Sequence, residues 1–361
     1  MRKKIKIASL FSGIGGFEEG LRLADIDYNL VFASEIDKFA RKSYLTNFET
    51  NKLFGDITTI KEEDIPDHDL LLAGFPCQSF SIAGKRKGFE DARGTLFYDI
   101  ARILNEKKPK FILLENVKNL VSHDNGKTIM EILMILKDLN YTVDFTIINS
   151  VESGVPQNRE RTYICGIYDF SNSKYLPDLR NEKVNKLKYK LNKLEYSSFN
   201  FFDTLVFKSR QFVLEDILEK NVDSKYYLES TKVNELLRKS SIAYKFERED
   251  KILKVLDIPR EIHNDLERQR RVYSIKGISP TILARADSPK ILVLEEDEFK
   301  IRKITPEENF YIQGFEKNFV KNIRNSGMSD TQMYKQSGNA VSPPVVAEIF
   351  NKLFKEYIDK C

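Results

Sequence analysis

The stretch Gly74-Phe75-Pro76-Cys77-Gln78-Ser79-Phe80-Ser81 sets a cysteine directly after a proline, at the end of the apolar run Leu70-Leu71-Leu72-Ala73. Proline fixes φ, so the thiol of Cys77 is presented in one direction and is a candidate catalytic group. A free cysteine is more often a small buried hydrophobe, and the Pro-Cys pair taken alone leaves that reading ahead by roughly three to one. Glu115, in Glu115-Asn116-Val117 after the run Phe111-Ile112-Leu113-Leu114, offers proton chemistry beside that thiol, or the cap of a following helix. Gln157-Asn158-Arg159-Glu160-Arg161 places two arginines at i and i+2. On an extended segment they share a face and can grip a phosphate or a base oxygen, although surface arginines have the same appearance.

A second set of residues suggests a nucleoside. Phe11-Ser12-Gly13-Ile14-Gly15-Gly16 follows a short apolar segment, but a dinucleotide fingerprint counted from Gly13 finds Glu18 where its third glycine belongs. The turn therefore suits close backbone approach without a pyrophosphate cradle, or is simply a tight turn. Glu35 ends the next apolar segment, the position from which a carboxylate binds ribose hydroxyls. Together the two features fit S-adenosylmethionine better than a nicotinamide cofactor.

These groups need elements that hold them. Lys6–Leu10, Asn29–Ser34, Leu70–Ala73, Phe111–Leu114, Tyr141–Ile148 and Thr162–Ile167 read as strands. Leu96–Leu104, Ile129–Leu139 and a segment through Leu21 and Leu23 carry apolar residues at helical spacing. That alternation predicts a doubly wound α/β fold with a mainly parallel sheet. The glycine turn, Glu35, Cys77 and Glu115 all fall at carboxyl ends of strands, where open α/β sheets collect ligands.

Composition narrows the class. Three cysteines and three histidines, scattered over 361 residues, make neither a disulfide framework nor a metal-ligand spacing. No apolar stretch is long enough to cross a bilayer, and the charged start lacks the apolar core of a signal peptide, which predicts a soluble cytoplasmic protein without metal. The net charge of +4 is modest, but Lys85-Arg86-Lys87, Lys107-Lys108-Pro109-Lys110, Arg268-Gln269-Arg270-Arg271 and the five lysines of 183–193 are compact basic clusters. Singly each reads as a solvated face; together they suit an anionic polymer.

The sequence resembles the DNA (cytosine-5)-methyltransferases, and is most similar to the small bacterial enzymes of restriction–modification systems. The likeness runs in order through Phe11–Gly16, Ser34-Glu35-Ile36-Asp37, Gly55-Asp56-Ile57, Gly74–Ser81, Arg93–Phe97, Glu115-Asn116-Val117, Gln157–Arg161, Arg271–Ser274 and Gln336–Val341. It implies a Rossmann-like S-adenosylmethionine-dependent domain over 1–170, a smaller, mainly irregular or β target-recognition domain over 171–319, and a segment 320–361 returning to the first.

By the same resemblance, the thiolate of Cys77 adds to carbon 6 of a flipped cytosine, protonated Glu115 holds ring nitrogen 3, Arg161 contacts the exocyclic oxygen, and Arg159 supports the site. Phe11, Gly13, Gly15, Gly16, Glu35, Ile36, Asp56, Ile57, Pro76, Leu96 and Asn339 would surround the cofactor. Gln78, Ser81 and Lys85, in a loop-like segment able to close over the base, and Arg268, Arg271 and Arg285 would meet duplex DNA. The implied protein is a monomer that shields host DNA from a cognate restriction endonuclease. Two other readings stand beside it: a tRNA methyltransferase of the same motif set, whose usual Cys-Phe-Thr element is absent here, and a non-catalytic DNA-binding regulator.

Overall fold

The computed structural model of the protein describes residues 4–76, 96–170, 173–207, 212–239, 247–285 and 288–360. Its organising element is a seven-stranded sheet in the order β3-β2-β1-β4-β5-β8-β6. These strands are β1 (Ile5–Leu10), β2 (Tyr28–Ser34), β3 (Leu53–Phe54), β4 (Leu70–Gly74), β5 (Phe111–Val117), β6 (Tyr141–Asn149) and β8 (Glu160–Tyr168); the short β7 (Gln157–Asn158) lies outside the sheet. Leu70, Leu71, Leu72, Ile112, Leu113 and Leu114 are completely buried, because helices cover both faces and leave no polar side to alternate with. Each such side chain contributes about 1.5–3 kcal/mol of burial. Strands β3, β2, β1, β4 and β5 run parallel, as the sequence predicts, whereas β8 is inserted antiparallel between β5 and β6.

On one face, α3 (Leu96–Lys107), α4 (Lys127–Asp138) and α5 (Glu182–Lys193) close a core around Leu71, Ile112 and Phe145. On the other, α1 (Gly16–Leu23) and α11 (Pro343–Glu356) pack with Phe201, Phe202 and Leu205 on Ile7, Leu72 and Leu113. Residues 173–205 thus wrap the β6 edge. Between α2 (Lys38–Asn47) and the glycine turn sits a third cluster from α8 (Pro306–Gln313), α9 (Lys317–Asn325) and α10 (Asp330–Asn339), with Phe310, Phe319 and Met333 packed against Ile14 and Ala40.

A second sheet, β13-β12-β10-β9, comprises β9 (Lys254–Asp257), β10 (Arg271–Ser274), β12 (Lys290–Glu295) and β13 (Glu298–Lys303), flanked by α6 (Thr231–Lys239) and α7 (Glu267–Arg270). The remaining strand, β11 (Ser279–Pro280), leaves this sheet and pairs in parallel with β7.

The lysine run proves not to be one basic face. Lys188 is 1% exposed, with its ammonium 3.0 Å from Asp144, 3.5 Å from Asp203 and 3.7 Å from Asp178. Val184, Leu187, Lys188 and Leu191 share the inner stripe of α5, so this lysine ties the helix to β6 and cannot meet an outside polymer.

Candidate active site

The sheet order reverses between β1 and β4, and the crevice there is where α/β folds take ligands. Phe11 and Gly13 leave β1 with φ of 54° and 57°, and Gly15 at φ 91° caps α1. A side chain on Gly15 would meet the Phe48 ring at 2.2 Å, so the turn holds its shape only with glycine there. Glu35, just past β2, accepts the N–H of Gly13 at 2.8 Å through one oxygen and that of Asp37 at 2.7 Å through the other. Burial pushes its carboxyl up, while these two N–H groups oppose the shift. Ile36 is 71% exposed beside it, and Phe54, half-exposed and stacked on Phe32, ends β3 where its carbonyl accepts the Glu35 N–H. Asp56 caps the next turn through Thr58 and leads to buried Ile57. Asn339 is exposed at the end of α10, a helix held against the Glu35 loop by Lys335–Asp37 at 2.7 Å.

Two strands away lies a charged cluster. Glu115 reaches the end of β5 opposite Gly74, which is three residues before Cys77, and its Oε1 lies 3.1 Å from Arg161 Nε. Burial raises the Glu115 carboxyl, opposed first by Arg161 and then by Arg159. Arg159 is 2% exposed; its Nη2 donates to the carbonyls of Gly338 and Ala340 at 3.0 and 2.9 Å, while Nε and Nη1 meet no partner among the described residues. Burial, and then Arg161, push its guanidinium down to about 9, which leaves it a cation at neutral pH. Of the two arginines, Arg161 meets Glu115 directly, while Arg159 acts on it through its charge and bonds the end of α10. Asn116 donates to the Phe75 carbonyl at 2.8 Å and so fixes the chain entering Pro76. The motif reading gave Asn116 no role, although its place between Glu115 and Val117 was the available signal.

Cys77, Gln78, Ser81 and Lys85 lie outside the described residues, as does the segment that was expected to close over the base. Pro76 is exposed at the mouth of the crevice, and Leu96 opens α3 half-buried. Beside the second sheet, Arg268 and Arg271 share a cleft of about 390 Å³ with Lys118, Asn158, Lys254 and Tyr273. Arg268 donates to the Thr281 carbonyl at 2.8 Å, and Arg271 bonds Glu267 at 2.5 Å. Arg285 is exposed on the loop that follows β11. Lys118 belongs to this cleft, yet only its nearness to Glu115 in sequence hinted at it.

The sequence matches the family described as C-5 cytosine-specific DNA methylase over residues 5–355. The type II methyltransferase M.SsoII of Shigella sonnei is 41% identical over 356 residues, which cover 97% of this chain and 80% of the relative. M.NgoBI of Neisseria gonorrhoeae, also a type II methyltransferase, is 39% identical across 94% of this chain and 90% of its own. An orphan methyltransferase, M.SPRI of Bacillus phage SPR, is 32% identical over 99% of each. Among solved structures, the Dnmt2 methyltransferase of S. pombe superposes with a TM-score of 0.68 at 19% identity, covering 98% of this chain and 99% of that one, a likeness of fold. With the family's span reaching from β1 into α11 and relatives this similar over 94% and 97% of the chain, the chain belongs to the C-5 cytosine-specific DNA methylases.

Proposed function

We propose that this protein transfers the methyl group of S-adenosylmethionine to carbon 5 of a cytosine flipped out of a short, specific duplex sequence. It would act as a monomer, as the modification partner of a restriction endonuclease. The observation that carries the chemistry is the meeting of Glu115, Arg161 and Arg159 beside the strand that leads into Cys77.

The crevice suits the cofactor. Glu35 spends one bond per oxygen on backbone N–H groups and keeps lone pairs for ribose hydroxyls. Ile36 and Phe54 give adenine an apolar wall, with Asp56, Ile57 and Asn339 around them. Phe11, Gly13, Gly15 and Gly16 let the backbone approach the methionine moiety, between Pro76 and Leu96. When bound, the cofactor supplies an electrophilic methyl group.

The chain's own residues do the rest. The thiolate of Cys77 adds to carbon 6, which makes carbon 5 nucleophilic. Arg159 and Arg161 supply the cationic surroundings that favour thiolate over thiol. A carboxyl raised by burial stays protonated further toward neutrality, so Glu115 can donate to ring nitrogen 3 and stabilise the adduct. Arg161 contacts the exocyclic oxygen. With the methyl group on carbon 5, a base takes the carbon-5 proton, and the electron pair left behind restores the 5,6 double bond and expels the Cys77 thiolate. A stacked cytosine is out of reach of these groups, which is why the base must leave the helix. Duplex DNA would lie in the cleft of Arg268, Arg271 and Lys118, with Arg285, Gln78, Ser81 and Lys85 completing the contact.

The deciding experiment incubates the protein with methyl-labelled S-adenosylmethionine and either duplex DNA or tRNA, followed by bisulfite sequencing of DNA from an expressing host. Label in DNA at one recurrent sequence supports the reading. Label in tRNA, or in neither, overturns it.

A further inference from the structure

The part of the chain that reads the target and the part that holds the base are hydrogen-bonded into one body through two residues with no assigned role. We propose that Gln157 and Gly338 are positioning residues that couple the recognition segment 279–285 to the Arg159 face of the base pocket. The inference rests on the reading of those two parts given above.

Gln157 is fully buried two residues before Arg159. Its side-chain oxygen accepts the Ile282 N–H at 3.1 Å, and its amide donates to Gln313 at 2.7 Å and to the Ile312 carbonyl at 3.3 Å. Gln313 in turn donates to the carbonyls of Ser337 at 2.8 Å and Ala340 at 3.1 Å. Ala340 and Gly338 are the residues whose carbonyls hold Arg159. From the other side, β11 pairs with β7, and Thr281 donates to the Asn158 carbonyl at 2.6 Å.

Gly338 closes the ring. A Cβ there would lie 2.3 Å from the carbonyl carbon of Leu283 and 2.4 Å from the nitrogen of Ala284, both backbone atoms that cannot swing aside. The recognition segment therefore rests on bare backbone at the residue whose carbonyl orients Arg159. Arg268, one of the arginines facing the DNA cleft, bonds Thr281 within the same segment. A shift of 279–285 as it engages DNA moves Arg159, so the pocket is fully formed only when the segment is seated. Displacing a reacting group by about 1 Å can cost roughly 100-fold in rate, so a coupling of this kind acts on the chemical step more than on binding.

The test uses the full chain, once bisulfite sequencing has given the target. Single-turnover methylation at saturating DNA, DNA dissociation constants, and fluorescence of 2-aminopurine placed at the flipped position are measured on the target duplex and on one with a base pair changed beside the cytosine. Gln157→Met removes all three side-chain bonds while filling the space; Gly338→Ala lifts the segment off α10. For each variant we expect the target rate to fall by roughly 100-fold and the rate ratio between the two duplexes to shrink. Dissociation constants for both duplexes and for S-adenosylmethionine should stay at their wild-type values. An unchanged saturating rate overturns the proposal, as does loss of affinity and rate together on both duplexes, which is what a merely structural role produces. Should Gly338→Ala fail to give a cooperative thermal transition, Gln157→Met decides alone. A wild-type protein that methylates no duplex brings down the underlying reading, and the coupling with it; active wild-type with unaffected variants brings down only the coupling.

Discussion

Replacing Glu115 by glutamine tests the acid in the pocket without changing its shape. The side chain is 11% exposed and its Oε1 lies 3.1 Å from Arg161. Glutamine keeps a carbonyl oxygen that can accept from Arg161 but can neither release a proton nor carry the charge that Arg161 and Arg159 favour. Truncating one partner of a buried pair costs about 3–5 kcal/mol. The retained acceptor should limit the loss here to about 1–3 kcal/mol, the scale of an imperfectly satisfied group. Turnover should fall by roughly 100-fold or more, because a positioned acid is worth about 10²–10⁴. The pH behaviour has a definite sign. Burial raises the Glu115 carboxyl in the folded protein, so its proton is held more tightly there than in the unfolded chain. Its contribution to stability is therefore fully present below the ordinary carboxyl range and is lost as pH rises through the raised value. The stability of wild type relative to Glu115→Gln should decline with pH across that window, by at most about 1.4 kcal/mol per pH unit. The alkaline fall in wild-type turnover that reports loss of this proton should vanish in the variant. Denaturant titrations and kcat profiles from acid to neutral pH give both readings. A variant that turns over at the wild-type rate, or keeps the same alkaline fall, refutes the assignment.

Three more perturbations follow from the same geometry. Lys188→Met leaves Asp144, Asp178 and Asp203 facing one another without their cation, and denaturant unfolding should show a loss of about 3–5 kcal/mol; unchanged stability would mean that the cage is solvated. Glu35→Ala removes the carboxylate that orients Gly13 and Asp37, so calorimetry should find S-adenosylmethionine binding weakened by roughly tenfold or more, about 1.4 kcal/mol, while DNA binding persists. Retention of cofactor affinity would move the ribose contact elsewhere. Arg271→Ala should lose about 1–3 kcal/mol of discrimination at one base position. A uniform loss of affinity over all duplexes would instead mark a phosphate contact.

The positions of Glu35 and Glu115 at one edge of the sheet were legible because each follows an apolar run. The runs before Glu35 and Glu115 are buried strands of one sheet, and a parallel sheet sends all its carboxyl ends to one edge. The reversal of β8 was not legible, since an apolar run carries no direction. Lys188 was misjudged as part of a basic run, although its spacing from Val184 and Leu191 already put it on the inner stripe of a helix. Composition counts lysines; periodicity says which of them face inward. The Gln157–Gln313 contact joins residues 156 apart, and no local pattern announces such a bond. The same holds for Gly338, whose need for glycine comes from the backbone of Leu283 and Ala284, and its helical surroundings give no hint of it.

Covalent addition by Cys77 is the step on which the proposed reaction depends most directly. A duplex carrying 5-fluorocytosine at the target position cannot lose fluorine as a proton, so the reaction should stop with enzyme and DNA joined. Incubated with S-adenosylmethionine, the wild-type protein should form a denaturation-resistant complex whose peptide map places the modified base on Cys77. Cys77→Ser should form none while still binding DNA. Methylation of ordinary cytosine without any trapped complex, or an adduct on another residue, would contradict the mechanism.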